Sequence, residues 1–427
     1  EMCIRDRLLF KQYLPLDSVK IKESARILRN QYHIRRVSIL PISTSSKDSI
    51  DIRVKVLDSW SLYADADGSL NHGTIRIFER NFLGLGHQIS TRYSQELSGS
   101  TRPSFGFDYE IPNLYATTLN TALGYSLDFD RYYYKYWSLT RPYYSLYTRW
   151  AAGANAYQRT FEDRILKNDS LYRQDFKVLG KNIWGSISFP ILQKYTPNNR
   201  VTNLVLSLRY YELDYLKAPD TFLDQNHFYS DRKTLLTSIG INHIGYEQDR
   251  YIFRHQDIED IPIGKSITLL GGFQENLSQI RPYLGGRVMY GDYFPLGYFA
   301  GNIQLGSFFL DKKHKQTTFS GEFTYFSPLF RIGRWHFRQF AKWHSVLGLS
   351  RKDFIKDRIT LNGRTGILGF DSPILTGTRK SIFTLQTQSY SPFSLLGFRM
   401  SPFLMADIGF IGNETHSVLK DEVFTKF

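Results

Sequence analysis

The feature that most constrains this chain is a two-residue alternation that recurs along most of its length. Leu119, Thr121, Leu123, Tyr125, Leu127 and Phe129 make one face of a strand, and Asn120, Ala122, Gly124, Ser126 and Asp128 make the other. Ile183, Gly185, Ile187 and Phe189 oppose Ser186 and Ser188. Leu204, Leu206, Leu208 and Tyr210 oppose Ser207 and Arg209, and Phe319, Gly321, Phe323 and Tyr325 oppose Ser320, Glu322 and Thr324. Successive side chains of a strand point to opposite faces, so each segment carries one apolar face and one polar face. Roughly fourteen to sixteen such segments can be traced. A soluble barrel would close around its apolar face, whereas a barrel in lipid turns that face outward and encloses the polar one. No run of about 18 apolar residues exists to form a membrane-spanning helix. Closed strand pairing then remains the way to leave no backbone group unpaired in lipid.

The connections point the same way. Short ones, such as Ile111-Pro112-Asn113 and Ser327-Pro328, alternate with longer polar stretches at Glu162–Gln174, Leu216–Lys233 and Arg254–Pro262. Short turns at one end and long loops at the other are the habit of transmembrane barrels. The chain holds 29 Tyr and 32 Phe. Clusters such as Tyr132-Tyr133-Tyr134, Tyr136-Trp137 and Tyr143-Tyr144 could lie at head-group level, or could be ordinary cross-strand packing.

The longest polar connection, roughly Lys352 to Lys380, contains Leu361-Asn362-Gly363-Arg364-Thr365-Gly366-Ile367-Leu368-Gly369-Phe370. Loops of that length inside a compact domain are usually functional or disordered, and three glycines open conformations closed to other residues. A later strand carries Met405-Ala406-Asp407-Ile408-Gly409. Together these resemble the outer-membrane assembly-factor and two-partner-secretion transporter superfamily, also called bacterial surface antigens. Gly363, Gly366, Gly369, Phe370, Asp407 and Gly409 match its pattern. The resemblance implies a loop folded back into the barrel lumen, with an Arg of the loop meeting acidic groups on the inner wall. Here that Arg position holds Leu368, and the wall positions Gln386 and Gln388 are neutral where the family has charge. Asp407 shares a strand face with Met405 and Gly409 and is expected to face the lumen. Arg364 is the candidate substitute partner for it; an Asp407 solvated by water alone is the equal alternative.

Asn81-Phe82-Leu83-Gly84-Leu85-Gly86, between strand-like Thr74–Glu79 and His87–Glu96, resembles the turn after the family's first barrel strand. Asn81, Gly84 and Gly86 are its marked positions, and the glycines permit the tight reversal. The resemblance places an openable seam near Thr74–Glu79. Upstream, residues 8–62 read as a small α/β unit. Asp17 or Ser18 can cap a helix, and Ile21, Ala25, Leu28 and Tyr32 follow on one helical face. A strand at Arg36–Leu40, a polar turn at Thr44–Asp48 and an alternating strand from Ile50 to Val56 complete it. Helix, strand, strand is similar to the latter part of a POTRA domain, the family's periplasmic module. Such modules bind clients by pairing strand edges. Residues 1–7 read as a scar or assembly artefact, and 63–427 as the barrel.

Other functions find little support. The net charge is +14, but Lys and Arg are spread along the chain without a nucleic-acid motif. Attraction to acidic lipid head groups or a charged lumen lining accounts for it. Cys3 is the only cysteine, which excludes an internal disulfide. No P-loop, Gly-x-Ser-x-Gly or His-Glu-x-x-His occurs. Asp65-Ala66-Asp67-Gly68 lacks the downstream ligands of a calcium loop and reads as a turn. His336 and His344 can share a strand face, with a structural role ahead of a metal-binding one.

The reading is therefore a non-enzymatic barrel of the bacterial outer membrane, with its N-terminal unit in the periplasm. It needs no cofactor and no nucleic acid. Its partners would be outer-membrane lipids, unfolded client polypeptides and periplasmic or lipoprotein subunits. A barrel anchoring an upstream hydrolase, or a passive pore, are the alternatives. The family places about three more strands after the Asp407 strand, whereas only a short tail follows Gly409. The sequence therefore predicts a barrel truncated at its C-terminal side, with an open or distorted sheet, or a mismatched partner, at Thr74–Glu79.

Overall fold

The computed structural model describes residues 2–45, 49–68, 72–96, 102–167, 170–192, 200–225, 227–351, 357–363, 365–370, 372, 375–396, 398–413 and 422–426. The large sheet is antiparallel, and its hydrogen-bonded strand order closes on itself as a barrel of nineteen strand segments among the described residues. That exceeds the fourteen to sixteen expected, partly because stubs such as Phe330–Ile332 and Glu422–Lys426 are among them. The residues group into two compact units: 1–188 with 207–235 and 276–278, and 189–206 with 236–275 and 279–427.

The first unit begins with the helix Ser18–Arg29. Asp17 caps it, its Oδ1 accepting from the Val19 and Lys20 amides at 2.9 and 3.3 Å, which satisfies two of the free N–H groups of the first turn. A two-stranded hairpin of Ile34–Ser43 and Ile50–Asp58 follows, and the helix packs on its first strand. Leu28, Ile27 and Ile34 are buried there. Tyr32, expected on the same face, is instead 57% exposed, while Glu23, Ser24 and Arg26 are buried. The helix is covered on a second side. Ser24 Oγ accepts from the Leu9 amide, and the connection after Arg141 packs near Glu23 and Arg26. Glu23 accepts from the Leu146 amide at 2.9 Å, Arg26 donates to the Tyr144 carbonyl at 3.1 Å, and the two side chains pair at 2.7 Å.

The barrel strands of this unit run Leu62–Gly68, His72–Phe82, His87–Glu96, Ser104–Leu114, Leu119–Leu127, Tyr133–Arg141, Trp150–Lys167 and the bulk of Ser170–Leu192, each paired with the next. Ile75, Ile77, Leu123 and Trp137 are exposed on one face. Thr74, Arg76, Ser90, Asp108, Ser126 and Tyr136 lie on the other, as the cross-strand register requires.

Three expectations are corrected here. Thr74–Glu79 is not a first strand with an open edge; it is paired on both sides, with Leu62–Gly68 and His87–Glu96. Asp65-Ala66-Asp67-Gly68 is not a turn but part of that earlier strand, and both aspartates pair with Arg76 of the neighbouring strand. Glu162–Gln174 is mostly not a loop: Glu162 faces Asp175 and Lys167 faces Ser170, so cross-strand pairing carries a polar hairpin outward. Within Tyr136-Trp137, period two sends the neighbours to opposite faces. Trp137 points out, while Tyr136 turns in, donates to Asp108 at 2.8 Å, and covers the hollow left by Gly124.

Outside the barrel strands, burial pushes the His33 imidazole below its ordinary value. Arg7 adds to the effect and Asp58 partly offsets it. Folding therefore favours neutral His33. Its stabilising effect is complete above the unfolded value of about 6.5 and is lost as pH falls through the lower folded value. The protection of the Leu28 amide, corrected for the intrinsic pH dependence of exchange, is expected to fall below about pH 6 in the wild type and to show less pH dependence in His33→Gln. Equal pH profiles for the two proteins would remove this link.

The second unit holds Ile258–Asn276, Gln279–Phe294, Gly297–Leu310, Lys313–Phe326, Trp335–Leu349, Arg379–Tyr390 and Phe403–Gly412, with the greater part of Arg232–Arg250. Val288, Ile303, Phe383 and Leu385 are exposed on the outer face. Gly264 has a φ of +126°, and a Cβ there would lie 1.9 Å from the His243 carbonyl oxygen. This irregularity shifts the alternation: Ile261 and Ile263 are buried on the inner side, whereas Ile267, Leu269 and Phe273 are exposed. Arg254–Pro262, expected as a long outer loop, is a short bend followed by the strand from Ile258.

Candidate functional site: a loop seated on the inner wall

Between Trp335–Leu349 and Arg379–Tyr390 the chain leaves the sheet. Ile359–Thr360 pairs with Thr376–Gly377 to form a stem. Asn362 clamps its base: Oδ1 accepts from the Ser372 amide at 3.0 Å, and Nδ2 donates to the Ser372 carbonyl at 2.9 Å. Above the clamp the backbone turns tightly. The Gly366 amide donates to Gly363, Ile367 to Leu361 and Phe370 to Ile367. Gly363 and Gly369 have φ of +76° and +69°, the left-handed region glycine enters at no steric cost. At Gly366 a Cβ would lie 1.8 Å from the Leu361 carbonyl oxygen, so no larger residue fits without moving the backbone.

These turns aim two apolar side chains at the wall. Leu361 and Ile367 are fully buried against Ile382 and Ile411, with Phe370 and Leu375 around them. Gly409 makes room: a Cβ on it would meet Ile367 Cδ1 at 2.6 Å. In the register, Ile382 faces Gly409, Thr384 faces Asp407 and Lys380 faces Ile411, so all six belong to the face the loop covers.

The electrostatics of the seat rest on a lysine of the wall. Leu368, at the position where the resemblance implies an Arg, is 62% exposed and does not enter the apolar cluster. The cation is on the wall instead. Lys380, buried, donates to the Thr365 carbonyl at 3.0 Å and the Thr360 carbonyl at 3.2 Å. In these contacts the wall supplies the ammonium and the loop supplies backbone oxygens. Asp407 is buried beside this cluster, and its Oδ1 accepts from Thr384 Oγ1. Arg364, the candidate partner for Asp407, lies outside the described residues. The neutral Gln386 and Gln388 hydrogen-bond to each other at 3.1 Å.

The hairpin turn Asn81–Gly86 is built as its residue types require. Asn81 Oδ1 accepts from the Gly86 amide at 2.8 Å, and its carbonyl accepts from Gly84. Gly84 and Gly86 have positive φ. The turn after Ser104–Leu114 repeats the device without glycine: Asn113 Oδ1 accepts from the Thr118 amide at 2.8 Å. His336 stacks on Tyr251, and no His, Cys, Asp and Glu cluster able to hold a metal occurs among the described residues.

Lys380, Ile382, Ile411 and Ile367 were not singled out from the sequence. A lone lysine among isoleucines on the wall-facing side of the strand after the loop was the available signal, but its partners are backbone oxygens, which leave no trace in residue types.

An antiparallel barrel with an apolar outer wall and a loop held against its inner wall is the architecture of a membrane-spanning barrel. No family model and no curated protein matches the chain. Among solved structures it is similar to BamA from Haemophilus ducreyi lacking POTRA domains 1–3, at 12% identity over 97% of this chain and 70% of that one, with a TM-score of 0.34. It is similar also to CdiB from Escherichia coli (9% identity, 95% and 68% covered, TM-score 0.46) and CdiB from Acinetobacter baumannii (12%, 98% and 69%, TM-score 0.42).

Proposed function

We propose that the chain is an outer-membrane barrel that inserts or translocates polypeptides, and that Leu361–Phe370 is the element coupling its inner wall to that work. The observation that carries this reading is the seating of Ile367 in the hollow over Gly409, with Lys380 holding the loop backbone. In this reading Gly363, Gly366, Gly369 and Phe370 shape the loop, and Asp407 and Gly409 shape its seat. Asn81, Gly84 and Gly86 fix the first hairpin, and residues 8–62 act as a partial POTRA-like module in the periplasm. Clients are unfolded polypeptides, taken up by strand pairing and not by chemistry.

The test is reconstitution into liposomes with a urea-unfolded eight-stranded barrel protein as client. Insertion of the client is followed by its heat-modifiable mobility, and passage of a polypeptide by protease protection. The wild type is expected to accelerate one of the two processes, and Gly409→Leu to abolish the acceleration while still forming a heat-modifiable barrel. A wild type that accelerates neither overturns the reading.

A further inference from the structure

The bend 250–257, between Arg232–Arg250 and Ile258–Asn276, does not turn away from the sheet. It folds onto the concave side of the second unit. Ile252 is 3% exposed and sits among Tyr298, Phe326, Phe340 and the inward Ile261 and Ile263. Glu259 fixes the bend by accepting from the amides of Ile252, Phe253 and Arg254 at 2.9–3.1 Å.

Three inner-wall side chains hold the bend and the strand end before it from distant strands. Arg338, 2% exposed, donates to both carboxylate oxygens of Asp249 at 3.0 and 3.3 Å and to the Arg250 carbonyl at 3.1 Å. Tyr293 also donates to Asp249, at 3.0 Å. Tyr390 places its hydroxyl against the carbonyls of Tyr251 and Ile252. In the sheet order, the strands of Asp249 and Arg338 are separated by Ile258–Asn276, Gln279–Phe294, Gly297–Leu310 and Lys313–Phe326. The pair therefore spans the concave face and does not join neighbours in the ladder. Arg338 Nε is buried without a hydrogen-bond partner. Burying the Arg338 guanidinium with one donor unmet carries a desolvation cost that its pairing with the partly exposed Asp249 offsets.

We propose that residues 250–257 form a strap that closes the passage along the inner wall of the second unit, latched by Arg338 on Asp249 and by Tyr390 on the strap's carbonyls. The strap rests on the membrane-barrel reading and adds to it a closing element separate from the Leu361–Phe370 loop. Unlatching leaves the strand ladders intact, because none of the latch contacts belongs to one. Opening then needs no strand to separate, although the burial of Ile252 and the contacts of His255 with the Ser391 carbonyl and of Gln256 with Arg399 also hold the bend.

The experiment is conductance in planar bilayers of purified wild type, Arg338→Met, Tyr390→Phe and the charge-exchanged double variant Asp249→Arg with Arg338→Asp. Heat-modifiable mobility of each serves as the check that it inserts. Arg338→Met is expected to raise mean conductance several-fold, Tyr390→Phe to raise it less, and the exchanged pair to return it towards wild type. Conductance equal to wild type in both single variants, with insertion intact, overturns the strap. If Arg338→Met does not insert, the milder Tyr390→Phe decides alone. A wild type that fails to insert overturns the barrel reading and the strap with it.

Discussion

Replacing Lys380 with methionine is expected to release the Leu361–Phe370 loop from the inner wall. Methionine keeps the length and apolar stem of lysine and removes the donors. The Thr360 and Thr365 carbonyls then lose the charged partner that buried Lys380 brings to them. Hydrogen bonds from charged donors are each worth about 1.5–3 kcal/mol, less where water can replace the donor. A net loss of about 2–3 kcal/mol corresponds to a roughly 30- to 150-fold larger released population. Limited proteolysis within 361–370 should accelerate by a comparable factor, while heat-modifiable mobility of the barrel stays as in wild type. Lys380→Arg, which retains a cation, should fall between. Proteolysis unchanged in Lys380→Met would mean that Leu361 and Ile367 hold the loop alone.

Replacing Arg26 with methionine is expected to free the N-terminal helix from the connection after Arg141. The Glu23–Arg26 pair is almost fully buried, with side chains 6% and 9% exposed, and both partners also bond the backbone at Tyr144 and Leu146. Removing one partner of such a pair typically costs about 3–5 kcal/mol, because a buried carboxylate remains without its counter-charge. That is enough to undock a small unit whose remaining core is Ile27, Leu28 and Ile34. Amide exchange of Leu146 should rise at least tenfold in Arg26→Met. In Glu23→Gln, which keeps an acceptor for Leu146, exchange should rise less. An Arg26→Met protein with wild-type exchange at Leu146 would show that the docking rests elsewhere.

The sequence alone determined the repeated strands, their inside-out polarity and the residues that must turn. Period-two patterns such as Ile183, Ile187 and Phe189 against Ser186 and Ser188 are local, and so are the backbone demands met by Gly84, Gly86, Gly363 and Gly369. Asp17 at the helix start belongs to the same class, since a cap and its amides lie within three residues. Where the sequence misled, the cause was also local. Asp65 and Asp67 look like a turn until Arg76 of the next strand neutralises them.

Only the tertiary structure decided which distant groups meet. Gly409 became the seat of Ile367, Lys380 the clamp on the loop, and Arg338 the partner of Asp249, 89 residues away. The apolar clusters on the inner face were equally hidden. Alternation assigns a residue to a face, whereas what covers that face depends on a loop or bend arriving from elsewhere in the chain. Contacts to backbone carbonyls add a second reason: every residue type carries that acceptor, so its use at Thr360, Thr365 or Tyr144 is fixed by fold geometry and not by composition.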